Sequence, residues 1–83
     1  MLTSQAVAVM VRVMAPYIGD TMARSAAEAH CRRLGVAGES LDPEHLESLL
    51  GRLGSGLNIF LGREKSASVI AEVRQALGAE AQR

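Results

Sequence analysis

Apolar positions recur along this chain with helical spacing, and the densest of them come first. The run Ala6-Val7-Ala8-Val9-Met10-Val11-Arg12-Val13-Met14-Ala15 carries one charge. On a wheel turning about 100° per residue, Val7, Met10, Val11, Met14 and Ile18 share a face, and Ala6, Val9 and Val13 widen it to roughly half the circumference. Gln5 and Arg12 mark the polar strip. The pattern predicts a helix over 4–15, capped by Thr3 or Ser4 and ended by Pro16, which disfavours helical geometry in the residue before it. The many valines would also suit a buried strand; the length of the run and the helical character of the rest of the chain decide for helix.

Three more helices are predicted by the same reasoning. Asp20 is a good N-cap for a helix over 21–34, with Gly35 as its stop. Met22, Ala23, Ala26, Ala27 and Ala29 line one side of it, and Arg24, Glu28 and Arg32 the other, with Glu28 placed to pair with Arg32 one turn on. The strongest start signal is Asp42-Pro43, a capping carboxylate followed by proline at the first helical position, where the missing N–H is no loss. It opens a helix over 43–61 whose Leu46, Leu50, Leu53, Leu57 and Phe60 form a stripe, with Leu49 and Leu61 beside it. Gly51, Gly54 and Gly56 interrupt that segment, yet the stripe keeps its phase across them, which a loop would have no reason to do. One helix, ending at Gly62, is therefore expected. The fourth runs over 65–77, starting near Glu64 or Ser66, with Val69, Ile70, Val73, Ala76 and Leu77 inward, Gly78 as its end and 79–83 as a frayed tail. Residues 35–40 read as the linker. The fold class is all-α: one compact four-helix domain spanning 1–83.

The first helix then poses a problem of area. A helix covered on one side needs an apolar stripe of roughly 100°, and this one has more. Either it is the central helix of the bundle or its second face meets another chain. In four helices each element normally keeps a face to water, so the sequence reading favours Ala6, Val9, Met10 and Val13 as a partner interface, and with it a homo-oligomer.

Composition narrows the remaining choices. At 83 residues there is room for one domain, and such a chain buries only about 60% of its extended surface. Net charge is zero, which disfavours a protein that binds nucleic acid through its phosphates. Cys31 has no second cysteine to pair with, which suits a reducing cytoplasm. The first apolar run lacks a preceding basic region and a cleavage pattern, and it is shorter than the roughly 20 residues that span a bilayer.

Candidate chemistry is sparse. His30 and Cys31 are adjacent and so diverge by about 100° on a helix; His45 is the only other imidazole, and no CxxC or HxxxH spacing occurs. Cys31 falls toward the polar side of its helix with no base to activate it. The acidic residues sit on solvated faces with no converging pair. Gly51-Arg52-Leu53-Gly54-Ser55-Gly56 lacks the strand and the Gly-Lys-Ser/Thr ending of a phosphate loop. No catalytic residue, metal or cofactor is expected. Arg32, Arg33, Arg52, Arg63 and Lys65 would form a basic patch if the helix ends that carry them lie together; the ordinary reading of Arg32 and Arg33 is complementarity to a helix C-terminus.

The apolar helix, the corner Tyr17-Ile18-Gly19 and the alanine-rich start Met22-Ala23-Arg24-Ser25-Ala26-Ala27, followed by Leu46-Glu47-Ser48-Leu49-Leu50, resemble a small helical domain of unknown function appended to bacterial serine/threonine kinases and response-regulator-type proteins. The resemblance covers residues 7–50; Asp20 stands where that family has proline. It implies a signalling-associated protein-interaction module with no catalytic residues to carry over. The function expected is accordingly a non-catalytic interaction or regulatory module of the bacterial cytoplasm, binding itself or another protein. Two alternatives stay open. One is a DNA-associated helix-turn-helix regulator reading bases with Arg52 and Asn58, although the 35–40 connection is long for that motif. The other is a factor laying its first helix on lipid, which the scarcity of Lys and Arg on the polar strip argues against.

Overall fold

A computed structural model describes residues 1–35 and 40–81, for residue 81 the backbone alone. Four helices succeed one another: α1 (Thr3–Ile18), α2 (Asp20–Arg33), α3 (Pro43–Leu61) and α4 (Arg63–Ala81). The all-α, four-helix reading is shown. The expected linker falls largely on 36–39 and the end of the expected tail on 82–83, outside the described residues.

Helix limits depart from the sequence reading where packing outweighs a local signal. Leu2, not Thr3 or Ser4, occupies the N-cap of α1, with Gln5 Oε1 accepting from its backbone N–H at 3.3 Å. Pro16 does not end α1. The helix runs on to Ile18, and Gly19 N–H donates to the Ala15 carbonyl at 2.8 Å. Proline forfeits only the bond to the Arg12 carbonyl, and Arg12 and Pro16 both lie on the exposed strip. Continuing the helix brings Tyr17 and Ile18 against the core. Gly19, at φ 87°, makes the corner and is itself the N-cap of α2, which leaves Asp20 as the first residue of that helix. Gly78 does not close α4, which passes through it to Ala81.

The α3 start and continuity agree with the sequence reading. Asp42 Oδ1 accepts from His45 N–H at 2.8 Å, Pro43 holds the first position, and the helix is unbroken through Gly51, Gly54 and Gly56. At Gly54 a Cβ would meet Ile70 Cγ1 at 3.5 Å, an ordinary van der Waals contact, and the Gly54 carbonyl accepts from Ser66 Oγ at 2.8 Å. Ser66 is thereby buried at the seam between α3 and α4. Gly62, at φ 79°, turns the chain between those two helices, a conformation glycine adopts without penalty.

α1 packs on both α2 and α4, α4 pairs with α3, and α2 and α3 share the least extensive contact of the four packed pairs. Ala23 and Ala27, with no exposed surface, form part of the core that α1 and α2 share. Met10 and Met14 of α1, Leu49, Leu50, Leu53 and Leu57 of α3, and Val69, Val73 and Leu77 of α4 complete the core. Burying a side chain of this size contributes about 1.5–3 kcal/mol. The chain start is tied to the approach to α3, where Leu41 N–H donates to the Met1 carbonyl at 2.8 Å and Leu2 bridges Ser40. On the surface, Tyr17 donates to Glu72 Oε1 at 2.8 Å, Lys65 Nζ sits 5.4 Å from the Tyr17 ring centre, and Arg74 pairs with Glu47. The expected Glu28–Arg32 pair is replaced by Arg24–Glu28 at 3.8 Å.

Three of the four α1 residues expected as a partner interface face inward instead. Ala6, Met10 and Val9 are buried within the chain, Val9 at 3% exposure, and Val13 is half-buried against the core. α1 packs between α2 and α4. Only Leu2, Ser4, Gln5, Ala8, Arg12 and Pro16 of this region face outward, and from Ser4 on they form one narrow strip at steps of about four residues. The physical reason is the arrangement of neighbours: α2 covers one flank, α4 another, and the leucines of α3 close the core between them. The same burial removes the apolar face that a lipid-lying α1 would need.

Candidate functional site

The surplus apolar surface lies elsewhere, along the thin α2–α3 contact. Ile59 is 84% exposed, Phe60 61% and Met22 44%. Phe60 continues the leucine stripe by spacing, so the sequence reading placed it in the core. It lies outside because the stripe outruns its cover: the alanines of α2 are too short to reach across, and α2 begins at the corner beside Ile18. Between the two helices is a recess of about 160 Å³ lined by Ile18, Met22, Ala26, Leu53, Leu57 and Phe60, with His30 and Gly56 at its far side. A recess of this size holds one large apolar side chain; an engineered apolar cavity of about 150 Å³ holds benzene.

Beyond His30 the character of the groove changes. An open trough of about 690 Å³ is lined by His30, Arg33, Ser48, Arg52 and Ser55, with Ile59 at its edge. α2 and α3 run in opposite directions along it, so the groove is apolar at the Met22–Phe60 end and basic at the Arg33–Arg52 end. Among the described residues no carboxylate lines the recess or the trough. Burial lowers the His30 pKa from 6.5, and the Arg33 and Arg52 guanidiniums lower it further. The imidazole is therefore neutral at pH 7, and its buried Nδ1 has no hydrogen-bond partner among the described residues.

The five basic residues expected as one patch are divided. Arg33 and Arg52 face each other across the trough, while Arg63 and Lys65 line a separate cleft at the α3–α4 corner with Leu61, Glu64 and Ser68. Arg32 is exposed and lines neither. Asn58 is exposed and lines a groove on the α3–α4 side with Ser55, Arg63 and Arg74, apart from the trough that Arg52 lines.

Cys31 is a second correction. It is 2% exposed and belongs to the core, its side chain inward beside Ala27 in the buried cluster. Burial, and secondarily the Glu28 carboxylate, raise its pKa from 9.0, so the thiol is protonated at neutral pH. His45 takes part in the α3 cap, with Nδ1 3.3 Å from Asp42 Oδ2. Among the described residues no three His, Cys, Asp or Glu side chains converge as metal ligands, and no helix is long and apolar enough to cross a membrane.

The α2–α3 groove was missed because its parts are separated in sequence and look unlike each other. The signal available was the phase of α3: Phe60 and Ile59 extend the apolar surface past the point where α2 supplies bulky partners. No family model, curated protein or solved structure matches this chain.

Proposed function

We propose that the chain is a non-catalytic protein-interaction module whose docking surface is the groove between α2 and α3. The observation that supports this reading most directly is the outward display of Phe60 and Met22 at an apolar recess, with Ile59 exposed at the edge of the adjoining trough. Water-exposed apolar surface of this kind is retained where another polypeptide covers it. The neutral overall charge, and the protonated, inaccessible thiol, suit a cytoplasmic regulatory role of the signalling-associated kind that the Tyr17-Ile18-Gly19 corner implies. The DNA-binding alternative draws on Arg33 and Arg52 alone, and the apolar residues beside them would be buried against phosphates with no compensation.

A photo-reactive phenylalanine analogue placed at position 60, and in a separate variant at position 8 on the opposite exposed strip, tests this in cells. The expected result is one defined protein adduct from position 60, identified by mass spectrometry and suppressed by excess unlabelled protein but not by its Ile59→Asp variant. Equal labelling from both positions, or none that competes, would reject the groove as a docking surface. Duplex DNA added over a range of salt is expected to show no binding.

A further inference from the structure

The groove carries enough chemistry to describe its occupant. Its floor along α2, from Met22 to Arg33, spans about 17 Å at 1.5 Å per residue, the length of a three-turn helix. The two flanking helices leave a channel of the kind that takes an amphipathic helix by its apolar face. At one end is the recess sized for a single anchoring side chain, against Leu53, Leu57 and Phe60. At the other end Arg33 and Arg52 line the trough with no carboxylate among its described lining residues. Covering those guanidiniums with an apolar or basic surface would strip their water and return nothing.

This also weighs against a second copy as the occupant. Another molecule of the same chain docked groove to groove would bring its own Arg33 and Arg52 into the joint, and among the described lining residues no carboxylate is there to answer them. Arginine pairs most strongly with a carboxylate it can grip by two parallel hydrogen bonds. We propose that the α2–α3 groove seats an amphipathic helix of about three turns from a different protein, one large apolar side chain filling the recess and an Asp or Glu at its other end lying between Arg33 and Arg52. This rests on the docking reading above and adds the chemistry of the partner.

The test is a selection that works without an identified partner. A displayed library of helix-forming 12-residue peptides, with apolar positions at i, i+4 and i+7 and the remaining positions randomised over acidic, basic and neutral residues, is panned on the intact chain. Selected peptides are expected to carry Asp or Glu clustered at one end. Their affinity is expected to fall at least tenfold on Arg33→Glu/Arg52→Glu, to fall at least tenfold on Phe60→Asp, and to weaken as salt rises. The matching Lys peptides are expected to bind the Arg33→Glu/Arg52→Glu chain in preference to the original.

Both variants lie on exposed positions, and unchanged circular dichroism and melting confirm their fold. Phe60-dependent binders without acidic bias would overturn the charged half of the proposal and leave the docking reading standing. A sedimenting dimer abolished by Phe60→Asp would overturn it in favour of a second copy. Absence of any Phe60-dependent binder, with the position 60 adduct present, would overturn the helical occupant alone.

Discussion

Cys31 shows how burial sets reactivity at a single residue. With its pKa raised above 9.0 by burial and by Glu28, the thiol has little thiolate at pH 7.5. Iodoacetamide or a disulfide reagent is expected to label the folded chain far more slowly than the chain in denaturant, and the two rates measured side by side check this; equal rates would contradict the buried placement. His30 makes a different prediction, about stability. Its folded pKa lies below the unfolded 6.5, so the unfolded chain binds more protons in the interval between the two values. Stability is therefore full above pH 6.5 and declines as pH falls through that value toward the folded pKa. Urea midpoints at pH 7.5, 6.5, 5.5 and 5.0 are expected to decrease in this chain, and to decrease less in His30→Gln. An identical pH dependence in both would show that His30 does not carry the effect.

Among elements, α3 and the turn after it are where single glycines have opposite expected effects. Gly51 is exposed, helical, and nothing lies within 4 Å of the Cβ it lacks. Gly51→Ala is expected to raise stability by about 0.5–1 kcal/mol through helix propensity. Gly62, at φ 79°, has equally open space but a backbone shape that L residues resist, and Gly62→Ala is expected to lower stability by about 1 kcal/mol. Chemical denaturation of the pair checks the two signs together. Ser66→Ala, which leaves the Gly54 carbonyl without its partner at the α3–α4 seam, is expected to lose about 1 kcal/mol by the same measurement. The continuity of α3 was legible because its leucine phase survives three glycines. The length of α1 was not, because the proline signal is local and the gain from burying Tyr17 and Ile18 is not.

Across the whole molecule, core and docking surface separate by what their loss does. Met10→Ala removes a fully buried side chain from α1 and is expected to lower stability by about 2–5 kcal/mol, a large part of what so small a domain possesses. Phe60→Ser, at a position already mostly in water, is expected to leave the melting temperature within a few degrees while abolishing binding at the groove. Thermal melts of the two variants distinguish a surface kept for stability from one kept for a partner. If Phe60→Ser melted as early as Met10→Ala, the groove would belong to the core. The outward residues are also the ones expected to drive association at high concentration, so the same substitution is expected to raise solubility.

The sequence by itself determined the number of helices, their approximate limits, the capped start at Asp42 and the inward faces of α3 and α4, because each depends on spacing and hydrogen bonding within a few residues. It placed surplus apolar surface on α1; most of that surface is buried, and which apolar residues stay outside only the tertiary structure decided. The wheel of α1 measures how oily a helix is and not how many neighbours surround it, so Val9 and Met10 went inside once α2, α3 and α4 were in place. Phe60 and Ile59 stayed outside because the helix opposite them offers alanines, and Arg33 and Arg52, nineteen positions apart, met only when α2 and α3 came to lie side by side.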